Sequence, residues 1–140
     1  DPGSSVVRAA HGLGIPVVPL VGPISILLAL AASGLNGQSF AFAGYLPQDA
    51  AVRQTRIREL EALALRTGQT QLLIETPYRN QTLLHALAHT LAPATWLAVS
   101  AGLTLQGAET VGMRASDWRQ QLASGARKAP ALPAIHAIGP

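Results

Sequence analysis

The 140-residue sequence predicts an α/β fold, an αβα sandwich around a mixed sheet. Three observations carry that expectation. Short apolar runs rich in β-formers alternate with longer segments of helical periodicity. Glycines close the predicted helices. Late in the chain, two strand runs (95–100 and 108–113) follow one another without a helix between them, so not every pairing can be a parallel crossover.

The elements follow in order. Residues 4–13 read as a helix: Ser4 or Ser5 can cap it, Val6, Val7, Ala10 and Leu13 form a stripe, and Gly12 and Gly14 end it. Residues 15–20 are a β-branched run, hence a strand, and 21–23 a turn. Residues 24–33 are apolar all round, predicting a helix buried on most sides and stopped by Gly34. Residues 39–45 alternate Phe40 and Phe42 with small residues, as a strand does.

The longest helix opens at Asp49 or Ala50 and runs to about Arg66, with Val52, Ile57, Leu60 and Ala64 inward and Arg53, Arg56, Glu59 and Glu61 outward. Gly68 closes it. Residues 70–75 form a strand ending on a carboxylate, Glu75. Thr76 and Pro77 then read as a helix start, Thr as N-cap and Pro at the first helical position. Residues 78–91 carry Leu83, Leu84, Leu87 and Leu91 inward. Ser116 caps a short helix to about Leu122, and 133–138 is the final strand.

Composition narrows the chemistry. Charged residues are 12% of the chain, about half the usual share, so much of it is buried or covered by something else. Ten basic against seven acidic residues leave +3, which permits a polyanionic partner without requiring one. With no Cys, disulfides, thiolate catalysis and Cys-ligated metals are excluded. The apolar stretch 16–35 is interrupted by Pro19, Gly22 and Pro23, and its helical part spans roughly 18 Å, too short for a bilayer. No membrane association and a cytoplasmic location are expected.

Five motifs in register then resemble a known family. They are Asp1-Pro2-Gly3, Val18-Pro19-Leu20-Val21-Gly22-Pro23-Ile24-Ser25, Ala32-Ser33-Gly34-Leu35, Phe42-Ala43-Gly44-Tyr45-Leu46-Pro47 and Glu75-Thr76-Pro77-Tyr78-Arg79. Their order and spacing resemble the tetrapyrrole methylases, most of all the branch containing the ribosomal-RNA ribose 2′-O-methyltransferases. The resemblance implies an S-adenosylmethionine-dependent, two-domain, commonly homodimeric enzyme with its cofactor between the domains. Residues 1–22 would then be the tail of a first domain otherwise missing, and 23–140 a complete second domain.

It further implies that Val21, Gly22, Pro23, Ile24 and Ser25 lie beside the cofactor. Thr76, Pro77, Tyr78 and Arg79 would face the substrate, with Glu75 and Asp1 as the candidate bases for a hydroxyl acceptor. Departures bear on the substrate. Ile24 replaces a Ser in the linker, and residues 100–106 lack the charges of an Arg-Glu-Leu-Thr-Lys-like run, retaining Leu103 and Thr104. Glu109 can match a following acidic residue, and Lys128-Ala129-Pro130 keeps only the Lys of a Lys-Gly-Glu-like run. RNA is the first expected substrate; a tetrapyrrole and a non-catalytic dimerisation or binding module with the same fold are the alternatives.

Blander readings stand beside these. Glu75 and Arg79 can be a structural ion pair, and 21–23 an ordinary linker. His85 and His89 have the spacing of zinc ligands, but no third ligand is evident, so no metal site is expected. Arg53, Arg56, Arg58 and Arg66, interleaved with Glu59 and Glu61, read as a solvated helix face, and Trp96 and Trp118 as core or interface anchors. Residues 4–20, lacking the rest of their domain, should be disordered, swapped or packed in a dimer. This chain alone should bind the cofactor weakly.

Overall fold

The computed structural model describes residues 3–140. Along the chain come α1 (Ser4–Gly12), α2 (Ser25–Ser33), β1 (Phe40–Gly44), α3 (Ala50–Thr67), β2 (Thr70–Glu75), α4 (Pro77–Thr90), β3 (Trp96–Ala101), β4 (Glu109–Arg114), α5 (Ala115–Ala123) and β5 (Ala134–Gly139). The strands form one sheet in the order β1-β2-β5-β3-β4. β1 and β2 are parallel; β5 runs antiparallel to its neighbours β2 and β3, and β4 antiparallel to β3. The mixed sheet anticipated from the late strand pair is therefore present.

Strand alternation feeds two cores. Leu73, Leu97, Val99, Ala134 and Ile138 meet Ile57 and Leu60 of α3, Leu84 and Leu87 of α4 and Trp118 of α5. On the opposite face Leu72, Ala98, Ile135 and Ala137 meet Ala29 and Leu30 of α2. Each fully buried leucine contributes about 2 kcal/mol relative to an exposed one. The result is three helices on one face and one on the other.

Local chemistry fixes the helices. The Asp49 carboxylate accepts from the Ala51 and Val52 amides at 3.0 and 2.9 Å, holding the start of α3. Gly34 and Gly68 take the left-handed conformation that ends α2 and α3. Pro77 occupies the first turn of α4, where a missing amide hydrogen costs nothing. Arg119 of α5 donates to the carbonyls of Ala88 and Leu91, satisfying the carboxyl end of α4 with a cation.

Four expectations need correction. Residues 15–20 form no strand: they have no regular structure and no strand of the described residues pairs with them, and extended backbone is held as a strand only by a ladder. α2 is not buried on most sides; Leu27 and Leu28 are exposed because α2 is the sole helix on its face. Val52, expected inward, is exposed in the first turn of α3. Glu61, expected outward, is buried, because its Oε1 accepts from the Ala92 amide at 2.7 Å and from Thr95 Oγ1. That carboxylate ties α3 to the loop between α4 and β3. α1 buries none of its residues.

Candidate functional site at the carboxyl edge of the sheet

β1, β2 and β3 point the same way, so their carboxyl ends share one edge. Glu75, Ala134, Ala101 and Glu109 stand in register across it. Strand ends cannot complete their hydrogen bonding or packing within the sheet, and in open α/β sheets ligands bind there.

A depression of about 220 Å³ opens at this edge on the α2 face. Its walls are Ile74, Ile135, Leu103, Leu105, Leu132 and Pro133, with hydroxyls from Ser25 and Ser100. Ser100 Oγ already accepts from Thr110 Oγ1 at 2.9 Å. Ser25 is the first residue of α2, where backbone amides lack helical partners. No charged side chain of the described residues lines the depression.

Its rim is built under constraint. Thr104 is the only non-glycine among the described residues with a positive φ, 74°, in the loop between β3 and β4. Gly102 in the same loop has φ +63°, and a Cβ there would come within 3.1 Å of the Leu132 side chain. A bulkier residue would press one wall of the depression onto the other.

Glu75 goes the other way. Its side chain lies on the α3–α4 face, beside Leu46, Arg53, Arg79 and Leu83. Oε1 accepts from the Thr76 amide at 2.8 Å, Thr76 Oγ1 at 3.2 Å, Arg79 Nε at 2.9 Å and Arg79 Nη2 at 2.8 Å. The Arg79 guanidinium so held lies 5.8 Å from the Tyr45 ring centre and 5.5 Å from that of Tyr78. Both tyrosines are largely exposed, at 56% and 80%. A buried carboxylate thus fixes a cation between two accessible aromatic rings.

The anticipated residues divide accordingly. Of the anticipated cofactor residues only Ser25 lines the first depression; Glu75 and Arg79 share another on the opposite face. Thr76 caps α4 by backbone position without a side-chain cap bond. Val21 and Ile24 are exposed, and residues 21–24 have no regular structure; Gly22 has no neighbour that a Cβ would meet. Asp1 lies outside the described residues. His85 and His89 stack at 5.9 Å, with His89 Nδ1 against the His85 carbonyl, and no cluster of three metal-ligating side chains occurs among the described residues. No helix of the described residues is long and apolar enough to cross a membrane.

Two contributors escape the sequence reading of the site. Tyr45 leaves β1 just as Glu75 ends β2, and its place at the end of a β-rich run is the available signal. Asn80 is fully buried, and its Nδ2 donates to the carbonyls of Pro130 and Leu132 at 2.9 and 2.7 Å, fixing the loop before β5. No pattern in the sequence marks it, because its partners are backbone atoms 50 and 52 residues away.

No family model matches the chain. It is 40% identical over 88 residues to Ribosomal RNA small subunit methyltransferase I of Pseudomonas aeruginosa, covering 63% of this chain and 29% of the relative. It is 38% identical over 104 residues to the protein of the same name in Mesorhizobium japonicum, covering 74% and 34%. The chain thus spans about a third of the length of these curated relatives. Among solved structures, uroporphyrin-III-C-methyltransferase from Thermus thermophilus superposes with a TM-score of 0.56 at 25% identity, covering 99% of this chain and 58% of that one. With five motifs in register, the mixed sheet and these relatives in agreement, the chain belongs to the tetrapyrrole methylase family.

Proposed function

We propose that this chain supplies one wall of an S-adenosylmethionine-dependent methyltransferase acting on a ribose hydroxyl of ribosomal RNA. The observation that carries the reading is the carboxyl edge itself: an uncharged apolar depression on one face and a Tyr45–Arg79–Tyr78 stack on the other. The named relatives supply the RNA substrate class.

The depression fits part of such a cofactor. At about 220 Å³ it falls below the ~300–1,000 Å³ of complete small-molecule sites. Its apolar walls suit an adenine, and its two hydroxyls suit ring or ribose polar groups. No charged side chain of the described residues lines it to complement an ammonium or a carboxylate, so those groups would be held elsewhere, which agrees with relatives about twice as long as this chain. S-adenosylmethionine supplies an already activated methyl group, so the protein's task is positioning and exclusion of water. Ile74, Ile135 and Leu132 keep the donor side dry, and Ser25 presents the start of α2.

On the acceptor side, Tyr45 and Tyr78 offer faces on which unstacked bases can lie, and Arg79 adds positive charge between them. Glu75 enters this reading as the group that positions Arg79. The exposed apolar side chains Ile15, Val18, Leu20, Val21 and Ile24, together with Leu27, Leu28, Phe40 and Phe42, are the surface that the rest of the first domain and a second copy would cover.

The test is methyl transfer by the full-length protein from radiolabelled S-adenosylmethionine. Label entering the ribose of unmethylated ribosomal RNA supports the reading. Label entering only a porphyrin or corrin precursor overturns the substrate class, and cofactor binding without transfer to either overturns catalysis in favour of a binding module.

A further inference from the structure

A second depression, of about 240 Å³, lies across the same edge on the α5 side, and the methyl-transfer reading leaves it unused. Val99, Ala101 and Val111 line it from β3 and β4, with Trp118 of α5. The indole is fixed, because its Nε1 donates to the Leu97 carbonyl at 2.7 Å in the buried core. Arg127, Lys128 and Glu109 contribute the charges of its lining.

These charges are not equivalent. Arg127 Nη1 is paired with Glu109 Oε1 at 2.5 Å. Lys128 is exposed and has no hydrogen-bond or ion-pair partner among the described residues. The depression therefore combines a mostly apolar interior, one side of it the Trp118 indole, with one uncommitted cation in its lining. That combination suits a planar heterocycle attached to an anion.

Its position names the ligand. Ala101 and Leu132 line both this depression and the donor-side one, so the two adjoin across a shared wall. Asn80 holds that wall through the Pro130 and Leu132 carbonyls. A strand whose ribose reaches the donor side would carry its neighbouring nucleotide toward the second opening.

Building on the RNA reading above, we propose that this depression receives an unstacked nucleobase adjacent to the acceptor nucleotide, with Lys128 on its phosphate. Recognition of single-stranded RNA by an apolar slot with a nearby cation requires no base-specific hydrogen bonds, so the site would set register more than sequence.

The experiment uses the full-length protein and a single-stranded RNA oligonucleotide carrying 4-thiouridine. After irradiation, mass spectrometry should place adducts within residues 118–132. Lys128→Ala should lower the slope of log affinity against log salt by about one, as expected for one lost phosphate contact. Lys128→Glu should weaken RNA binding about tenfold while leaving cofactor affinity unchanged. Ala131→Phe, which fills the slot, should abolish the adducts.

Adducts confined to other segments, together with unchanged RNA affinity in Lys128→Glu and Ala131→Phe, overturn the proposal. If the protein still methylates RNA in that case, the function reading survives alone. Adducts at 118–132 without methyl transfer support the base site and overturn the catalytic reading instead.

Discussion

Replacing His136 by leucine should flatten the dependence of stability on pH. His136 sits in β5, flanked in register by Leu73 of β2 and Val99 of β3. It is fully buried, and neither ring nitrogen has a hydrogen-bond partner among the described residues. Burial lowers its pKa from 6.5 to about 4, because the imidazolium cannot be hydrated there. The sign follows from proton counting. Between pH 6.5 and 4 the unfolded chain binds a proton that the folded chain refuses, so stability falls as pH falls. The contribution is fully present above pH 6.5 and lost by about pH 4.

A displacement of this size corresponds to about 3 kcal/mol across the window. A leucine side chain in that place has no proton to take up and leaves two fewer unpaired polar atoms in the core. His136→Leu should therefore also gain about 1–2 kcal/mol at pH 7. The assay is urea denaturation of both proteins at intervals from about pH 7.5 to 4, spanning the window in which the two states differ in bound protons. Subtracting one curve from the other cancels the shared carboxylates. Parallel curves across pH 6.5–4 would refute the assignment of a buried, neutral imidazole.

Three other outcomes are expected. Arg119→Met should cost about 2–3 kcal/mol in urea melts, since it strips a cation from the Ala88 and Leu91 carbonyls and leaves the end of α4 unsatisfied; a loss below about 0.5 kcal/mol would contradict the capping role. Gly112→Ala should cost about 1–3 kcal/mol, because a Cβ would stand 2.9 Å from the Trp96 ring and displace the indole that donates to the Ser33 carbonyl at 3.0 Å; a shift in tryptophan emission should accompany it. Thr104→Gly should gain up to about 1 kcal/mol, the relief of a left-handed threonine less the entropy of glycine, and a measured loss would mean that the loop's strain is balanced by contacts of the Thr104 side chain.

What can be read in advance is whatever rests on neighbouring residues. Asp49, Gly34, Gly68 and Pro77 announce helix ends because capping is settled within a few positions. Leu83, Leu84 and Leu87 announce a buried face because periodicity is local. Glu61 misleads for the same reason: its place on the solvated-looking stripe is decided by Ala92 and Thr95, some thirty residues on. The run 15–20 misleads because strand formation requires a partner that propensity cannot supply. At the candidate site, the strand-end position of Glu75 is readable from sequence. The face it occupies is not, since Ile74 and Glu75 are adjacent in sequence yet open into different depressions.

The strand order carries a consequence for how the molecule assembles. β1 pairs with β2 and β3 with β4, but the two pairs are joined only through β5, the last of the five in chain order. Until residues 134–139 emerge from the ribosome, the nascent polypeptide holds two unlinked ribbons with their central edges bare, a state open to aggregation. Deleting those six residues should therefore split the sheet along its midline and make the variant a substrate for chaperones and proteases.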